Sequence, residues 1–550
     1  MARSAAAKQE SKRVLRSRRN ELLPIFRLPT EILVMVFKNV EEDHRLDESA
    51  HSDVPACVVV SRVCKYWRSV AYACPALWTH IRSTNPHLVA IMLEKSRNFP
   101  LVVMYKTPAP PRHCLKPILS HLPRIESLKF RALEIHANDI IQWLSSQPAP
   151  LLETFEFSTP IVTQNSADVD ITPISSVIFQ GQAPRLRSVH LTVVPIDWTA
   201  DIFSGIRSLS IMEPGPEYLT LSQFLSALTR MPALEHLSLE RILFLDEGTM
   251  PYSTVSLPQL KSMALGNPTL PEAITVFRQL VLPADVKISL CLDSLRDIYD
   301  LFEVMPGGFR SIIKSMRAIC FNGYCLCVQF STSPTMNPAD FWNASDDDIR
   351  LSLHIVFKDD DGMPMAIPEL SIVFDICQAA MQDMDGIQSL YLVGFGSPNR
   401  EFWRAGSACL PNVEAIHLEG IWLEGIIAAL GIVNDDEHDI DILYPSLRVL
   451  ELKATLFDYE TLLNSLQAIW HMRANHGVGI DTLRLTECRR LLNYWVRRFR
   501  EVIETVDWDE CHWQEHKEDS DERLAEILET GRPLWYDDAA NDRNKGWPES

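Results

Sequence analysis

The sequence has no uninterrupted run of about 18 apolar residues, the length that a membrane-spanning helix requires. No apolar stretch typical of a secretory signal follows the N-terminal Met1. Positive charge is in the minority, with 52 lysines and arginines against 72 aspartates and glutamates and a formal net charge of −20. We therefore expect no membrane insertion, no secretion and no broad nucleic-acid binding, which needs a basic surface. A cytoplasmic or nuclear location follows.

Catalytic signatures are also missing. The sequence has no glycine-rich phosphate loop and no Gly-x-Ser-x-Gly nucleophile turn. The twelve cysteines show no disulfide-framework spacing, which predicts reduced thiols. Four short clusters resemble metal sites only superficially, because their spacing or ligand number is wrong. They are Cys320/Cys325/Cys327, Cys511/His512/His516, Asp346/Asp347/Asp348 and residues 359–362. We predict a protein without catalytic residues, cofactor or metal.

The composition is that of a globular protein, with 46% hydrophobic and 23% charged residues over 550 positions. This length predicts two to four structural units. Residues 1–21 are poor in apolar side chains and contain a basic cluster around Lys12 and Arg18. We interpret them as a basic disordered tail; a nuclear address or a helical extension are the alternatives.

Helical periodicity is strongest in residues 28–78. Ile32, Leu33, Val36, Phe37 and Val40 recur at the spacing of one helix face. Proline is tolerated in a first helical turn, which suits Pro29, and Pro75 ends the run. A second run predicts another apolar stripe, formed by Val60, Val63, Cys64, Trp67, Val70 and Ala71. Two or three short helices with an apolar face are expected, facing either their own core or a partner.

The residues themselves resemble an F-box. The matching strings are Leu-Pro-Thr-Glu-Ile-Leu at 28–33, Ser-Arg-Val-Cys-Lys-Tyr-Trp-Arg at 61–68 and Pro-Ala-Leu-Trp at 75–78. Residues 92–101 also look like the segment after the F-box in a large fungal group, so the resemblance covers residues 22–104. One departure is an acidic connection at residues 41–55, longer than usual and expected to be a surface loop.

The resemblance implies a helical F-box domain at residues 22–84 that docks a Skp-type adaptor and, through it, a cullin scaffold. The residues expected to bind the adaptor are Leu28, Pro29, Ile32, Leu33, Val36, Val63, Cys64, Trp67 and Trp78. Some of them are expected to form the F-box core instead.

An internal repeat follows the F-box. Each copy has a turn with proline or glycine and then apolar residues at positions i, i+3 and i+5, which predicts one short strand with its last two apolar side chains facing the core. Clear copies lie at residues 122–130, 183–191, 231–239, 257–265, 410–418 and 444–452. Weaker copies begin at Leu152, Ile206, Met316, Ile387 and Ile480, and divergent ones at Ile288 and Leu351. Helical spacing predicts returning helices at residues 221–229 and 459–472.

The repeat resembles an irregular leucine-rich repeat, in which stacked units bury a shared core. We therefore expect a mixed α/β protein with a small helical F-box, a connecting segment and first cap at residues 85–121, and an α/β solenoid at residues 122–490. An ordinary α/β domain with proline-started strands is the alternative. Residues 491–550 are expected to hold an amphipathic helix and an acidic tail. Helical spacing extends over residues 489–506, including Trp495 and Phe499, and residues 507–550 form a lid or a disordered tail.

Together these features predict the substrate-recognition subunit of a ubiquitin ligase, with the F-box on the adaptor and the repeats on an unknown target protein. The alternative is a scaffold that binds the adaptor but takes no part in the ubiquitination of a target. Because the chain is acidic, the target is expected to offer basic or amphipathic segments.

Overall fold

The computed structural model describes twenty stretches of the chain. They are residues 18–20, 22–46, 54–105, 111–133, 136–159, 173–174, 177–212, 219–241, 244–245, 254–266, 270–283, 285–292, 315–322, 327–335, 349–355, 386–396, 398–431, 433–436, 439–457 and 460–509. The predicted basic tail and the acidic segment 510–550 lie outside these residues, apart from 18–20, as do Cys325, Asp346, Asp347 and Asp348.

Twelve α-helices are numbered here along the described chain. They are α1 Thr30–Leu46, α2 Ala56–Val63, α3 Lys65–Ala73, α4 Pro86–Lys95, α5 Arg112–Leu119, α6 Ala137–Leu144, α7 Leu221–Thr229, α8 Leu270–Gln279, α9 Arg400–Cys409, α10 Leu423–Leu430, α11 Glu460–Asn475 and α12 Asn493–Phe499. Short 3-10 turns occur at Pro24–Arg27, Pro75–Trp78, Leu122–Arg124, Ile178–Gly181 and Asp201–Phe203. None of the described helices is long and apolar enough to span a membrane.

Strands are numbered in the same way. They are β1 His80–Ile81, β2 Leu101–Tyr105, β3 Ile125–Arg131, β4 Thr154–Ser158, β5 Ser188–Thr192, β6 Ser208–Met212, β7 Leu219–Thr220, β8 His236–Glu240, β9 Phe244–Leu245, β10 Val255–Ser256, β11 Ser262–Gly266, β12 Leu280–Val281, β13 Lys287–Leu292, β14 Ala318–Asn322, β15 Cys327–Ser331, β16 Ile349–Ile355, β17 Ser389–Gly396, β18 Ala415–Ile421, β19 Val433–Asp436, β20 Asp439–Asp441, β21 Val449–Lys453, β22 Thr482–Thr486 and β23 Thr505–Trp508. Two compact units contain them, one made of residues 1–236 with 245–247 and one of the remainder.

In the N-terminal unit, β1 to β6 pair in chain order and every pairing is parallel. Side chains alternate between the buried and the outer face, as a parallel ladder with one covered face requires. Leu128, Phe155, Val189 and Leu209 occupy equivalent register positions on four adjacent strands, and all are buried. The predicted copies at residues 122–130 and 183–191 therefore form strands. The ladder starts earlier than the sequence indicated, at His80.

The C-terminal unit holds a large, mostly parallel sheet in the order β8-β11-β13-β16-β15-β14-β17-β18-β21-β22-β23. β15 is antiparallel to both β14 and β16, and its alternation was not recognised in the sequence. As a result β16, predicted to follow β14 in the stack, pairs in parallel with β13 instead. Strand order thus departs from chain order between β13 and β17, because a hairpin partner competes with the parallel neighbour.

One bonding arrangement recurs where strands begin. The carbonyl of Arg187 accepts hydrogen bonds from the amides of both Arg207 (2.7 Å) and Ser208 (2.9 Å), which start the next strand segment. The guanidinium of Arg187 also donates to the Gly205 carbonyl at 3.2 Å. In the other unit, Arg448 repeats this arrangement with the amides of Asp481 and Thr482 and the carbonyl of Gly479. A shared local geometry thus underlies the proline-started sequence repeat in both units.

The last described segment differs from its prediction. The sequence pattern predicted one helix over residues 489–506, but α12 covers only Asn493–Phe499 and Thr505–Trp508 forms a strand. Val506 lies opposite Leu483 in the parallel ladder, so strand pairing prevails over the helical spacing there. The helix prediction for residues 221–229 agrees with α7, and that for 459–472 agrees with α11 to within a few residues.

Candidate functional site

Three helices near the N-terminus carry the residues singled out in the sequence. α1 begins at Thr30, and the carbonyl of Pro29 accepts the first hydrogen bond, from the Leu33 amide at 3.1 Å. The second predicted helix is in fact two helices, because Cys64 has extended backbone angles (φ −158°, ψ 173°). The expected single stripe from Val60 to Ala71 is therefore interrupted, and residues on either side of Cys64 face different directions.

Aromatic rings form the core under these helices. The rings of Phe37 and Trp67 lie 5.0 Å apart, and Leu33 is completely buried on the same side of α1. Trp78 is only 1% exposed, and its indole nitrogen Nε1 donates to the Ala71 carbonyl at 2.8 Å. Leu33, Phe37 and Trp78 belong to the interior of the helical domain and leave no surface for a partner, whereas Trp67 is half-buried.

The opposite side of α1 is apolar as well. Ile32, Met35 and Val36 are exposed at helical spacing, with Met35 exposing 60% of its surface. On α2, which packs against α1, Val59 and Val63 are exposed in the same way. An amphipathic helix would normally carry polar residues there, so the domain presents apolar side chains to solvent on two helices in contact.

The structure divides the nine predicted adaptor-binding residues by exposure. Leu33 and Trp78 are buried; Leu28, Cys64 and Trp67 are half-buried; Pro29, Ile32, Val36 and Val63 are exposed. Four further apolar residues are exposed nearby in the sequence but were not predicted: Leu22, Leu23, Met35 and Val59. Helical spacing contained the signal for two of them, because Met35 lies three residues after Ile32 and Val59 four residues before Val63.

The connection between α1 and α2 is shorter than predicted. Residues 41–55 were expected to form a loop, but α1 continues to Leu46, and only residues 47–53 lie outside the described chain here. The Glu41 carboxylate lies 3.9 Å from Nδ1 of His80. Burial, together with the nearby Glu41 charge, raises the pKa of the Cys57 thiol to about 12, so this thiol stays protonated. Glu41, in the second half of α1, is therefore part of the packed domain.

Cys64 acts locally as a helix cap. Its Sγ accepts a hydrogen bond from the Trp67 amide at 3.3 Å, which occupies one of the free donors at the start of α3. A serine hydroxyl accepts more strongly than a thiol, so we expect Cys64→Ser to stabilise the domain by about 0.5 kcal/mol. Cys64→Ala should destabilise it by about 0.5 kcal/mol, measured as a shift of the urea midpoint. Equal shifts of the same sign would contradict the cap.

A second candidate surface, which is polar, follows one register row of the C-terminal sheet. Tyr391, His417, Glu451, Arg484 and Asp507 lie side by side on five adjacent parallel strands. The His417 ring stacks on Tyr391 at 4.0 Å, and its Nδ1 lies 2.9 Å from the Glu451 carboxylate. Arg484 approaches Glu451 at 3.8 Å and Asp507 at 3.9 Å. Alternating charges along the row can recognise a complementary protein segment.

This row predicts a pH-dependent stability term. The hydrogen bond from His417 is the main cause that lowers the pKa of the Glu451 carboxyl, with the charges of Arg484 and Lys453 acting in the same direction. A lowered carboxyl pKa stabilises the fold above the unfolded-state pKa and loses that contribution as pH falls through the folded value. Glu451→Gln should therefore cost about 1 kcal/mol at pH 7 and progressively less below pH ~4.

The check on this prediction is chemical denaturation at several pH values. Glu424→Gln is the matched control, because Glu424 is exposed and should show no comparable pH-dependent difference. If the difference in the free energy of unfolding between Glu451→Gln and the parent protein is constant over this pH range, the carboxylate charge of Glu451 contributes nothing to stability.

Within the described stretches, no group of three or more His, Cys, Asp or Glu residues is arranged to hold a metal ion. Cys320 is buried in β14, and Cys327 lies in β15, opposite Asn322. His512 and His516 lie outside the described residues, as do Cys511 and residues 359–362.

A comparison with protein families matches residues 25–84 to the F-box-like family. These residues span α1 to α3, the turn Pro75–Trp78 and β1, and they include the exposed apolar residues of α1 and α2. A comparison with curated proteins found no match.

Proposed function

Starting from an F-box-like domain at residues 25–84, we propose that this chain is the substrate-recognition subunit of a Skp-cullin-F-box ubiquitin ligase. F-box domains typically bind Skp-type adaptors, which supports a link to a ubiquitin ligase. The observation that carries the proposal is the apolar outer side of α1 and α2, with Met35 and Val63 more than half exposed.

The energetic basis is burial. Transfer of apolar surface out of water contributes about 25 cal/mol per Å², and a few central side chains supply most of the binding energy of an interface. We assign the adaptor contact to Ile32, Met35, Val36, Val59 and Val63. Leu33 and Trp78 are buried core residues that hold the helices in position. On this assignment, the adaptor covers side chains that the isolated domain leaves in solvent.

The repeated units are the part that we assign to the target. We propose that they stack as an irregular leucine-rich-repeat-like solenoid, supported by the recurring Arg187 and Arg448 arrangements and by the consecutive parallel strands. The polar row from His417 to Asp507 is a suitable contact surface. Because the chain carries a net charge of −20, a target with basic or amphipathic segments would associate faster than a neutral one.

In this role the chain contributes no catalytic side chain. It raises the effective concentration of target lysines beside the ubiquitin-charged enzyme, which converts an encounter between separate molecules into one within a complex. A cytoplasmic or nuclear location is part of the proposal, because the adaptor and the cullin must be reached there.

A pull-down of the full chain from cells tests this proposal. Recovery of both a Skp-type adaptor and a cullin is expected for a ligase receptor. Recovery of the adaptor alone would favour the scaffold alternative, in which the F-box-like domain binds the adaptor without ligase work. Recovery of neither would overturn the proposal. If both are recovered, proximity labelling with and without a proteasome inhibitor is the experiment that identifies target proteins.

A further inference from the structure

The second and third helices of the F-box-like domain are basic, although the whole chain has a net charge of −20. α2 and α3 contain Arg62, Lys65 and Arg68 and no aspartate or glutamate. All three side chains are exposed, and we call them the basic face. Within the described stretches, none of the three forms an ion pair with a carboxylate. Their charges are therefore available to an anionic partner.

The basic face adjoins the apolar surface that we assign to the adaptor. On α2, Arg62 lies three residues after Val59 and directly before Val63, so these side chains share one side of the helix. Val59 and Val63 expose 40% and 54% of their surface. On α3, Nε of Arg68 donates to the Ser61 carbonyl at 2.9 Å, which holds this arginine beside α2. A partner that covers the exposed valines therefore meets the cations as well.

Helix stability does not account for the charge of Lys65. The first turn of a helix carries a partial positive charge, which favours anions and disfavours cations. Lys65 is the first residue of α3, and that turn contains no acidic residue. Its charge therefore costs the helix stability, as expected for a residue that serves a partner rather than the fold. Arg62 differs, because it lies in the last turn of α2, where a cation is favourable.

The net charge of the chain makes a local basic surface useful. A chain at −20 repels an acidic partner at long range, whereas a cationic patch attracts an acidic surface and orients it. Such attraction mainly raises the rate of association and excludes wrong partners. The buried apolar contacts of an interface mainly determine how slowly the complex dissociates.

We propose that the adaptor surface opposite α2 and α3 is acidic, and that the basic face attracts it before the apolar side chains make contact. This inference rests on the proposed function, because it takes the Skp-type adaptor as the partner. It adds the chemistry of the adaptor surface and a division of labour. The cations control the association rate, and the exposed apolar residues of α1 and α2 control the dissociation rate.

Association kinetics of the full-length chain with a purified Skp-type adaptor test the inference. In Arg62→Glu with Lys65→Glu, we expect the association rate constant to fall at least about tenfold in about 25 mM sodium chloride. The dissociation rate constant should stay within about threefold of the parent value. In about 0.5 M sodium chloride, where the Debye length is about 4 Å, the difference in association rate should shrink below about threefold.

The variant is expected to fold. Arg62→Glu places a negative charge in the last turn of α2 and Lys65→Glu places one in the first turn of α3, so their effects on helix stability oppose each other. Arg131→Glu with Arg185→Glu is the matched control, because it changes the net charge equally at two exposed arginines outside α2 and α3. Its association rate constant should stay within about threefold of the parent value at low salt.

The outcomes separate this inference from the proposed function. An unchanged association rate in Arg62→Glu with Lys65→Glu, or an equal loss in the control, would overturn the acidic adaptor surface and leave adaptor binding intact. A loss of affinity caused by faster dissociation alone would overturn it in the same way. If the parent chain does not bind the adaptor at either salt concentration, both the inference and the proposed function are wrong.

Discussion

The double variant Met35→Asp with Val63→Asp should bind a Skp-type adaptor at least about 100-fold more weakly than the parent chain while remaining folded. Both side chains are more than half exposed, so an aspartate at either position is hydrated in the free protein. In the complex the two carboxylates would lose water without gaining a partner, and that penalty appears entirely in the binding free energy. Titration calorimetry with purified adaptor measures the affinity, and near-ultraviolet circular dichroism confirms the packing.

Two controls separate binding from folding. Leu133→Asp changes an apolar residue of the N-terminal unit that is 50% exposed, and it should leave adaptor affinity within about threefold. Leu33→Ala should do the reverse, costing about 3 kcal/mol of domain stability because Leu33 is completely buried. Adaptor affinity within about threefold of the parent for the double variant would disprove our assignment of the docking surface.

Arg473→Ala should destabilise the C-terminal unit by about 4 kcal/mol, since it removes two charged hydrogen bonds and leaves a cavity. Arg473 is completely buried on α11, and its guanidinium donates to the carbonyls of Leu443 (3.0 Å) and Tyr444 (2.9 Å). Burial lowers its pKa to about 10, so the group is still charged at neutral pH. Within the described chain Arg473 has no carboxylate as an ion-pair partner, so the two backbone carbonyls are the groups that stabilise its charge.

Those carbonyls belong to the turn before β21, where the Tyr444 carbonyl also accepts a hydrogen bond from the Leu447 amide at 3.2 Å. Tyr444 has a positive φ of 49°, which is strained for a residue with a side chain. Arg473→Met should retain most of the packing and still lose about 2 kcal/mol, which isolates the hydrogen bonds. His471→Ala, at an exposed position of the same helix, should change stability by less than about 0.5 kcal/mol.

The measurement is amide hydrogen exchange in β21 and β22, the strands closest in sequence to the turn and to α11. Exchange of the Leu450 and Leu483 amides should accelerate in Arg473→Ala and remain at the parent rate in His471→Ala. Parent-like protection in Arg473→Ala would mean that the buried guanidinium contributes little to this unit.

Local sequence signals predicted the repeat strands well. A proline-started turn followed by apolar residues at i, i+3 and i+5 specifies a short strand because both requirements act over nine residues. β3, β5, β8, β11, β18 and β21 all begin within the predicted copies and end one to three residues beyond them. The weaker copies beginning at Ile206 and Ile480 also contain strands, β6 and β22.

Pairing partners were less predictable, because they depend on contacts far apart in sequence. The β14–β15 hairpin displaces β16 to β13, and no local pattern distinguishes that neighbour from the expected one. The segment at residues 489–506 shows the same limit. The helical spacing predicts the helix correctly for Asn493–Phe499, but Thr505–Trp508 forms a strand because it pairs with the edge of β22.

For the candidate site, the sequence by itself determined that two or three short helices form and that their residues resemble an F-box, because motif and periodicity are properties of neighbouring residues. Only the tertiary structure decided which residues of α1 face inward. Hydrophobic spacing placed Leu33, which is buried, in one stripe with Ile32 and Val36, which are exposed. The packing of Phe37 against Trp67 selects the inner side, and the apolar side chains opposite remain in solvent for a partner.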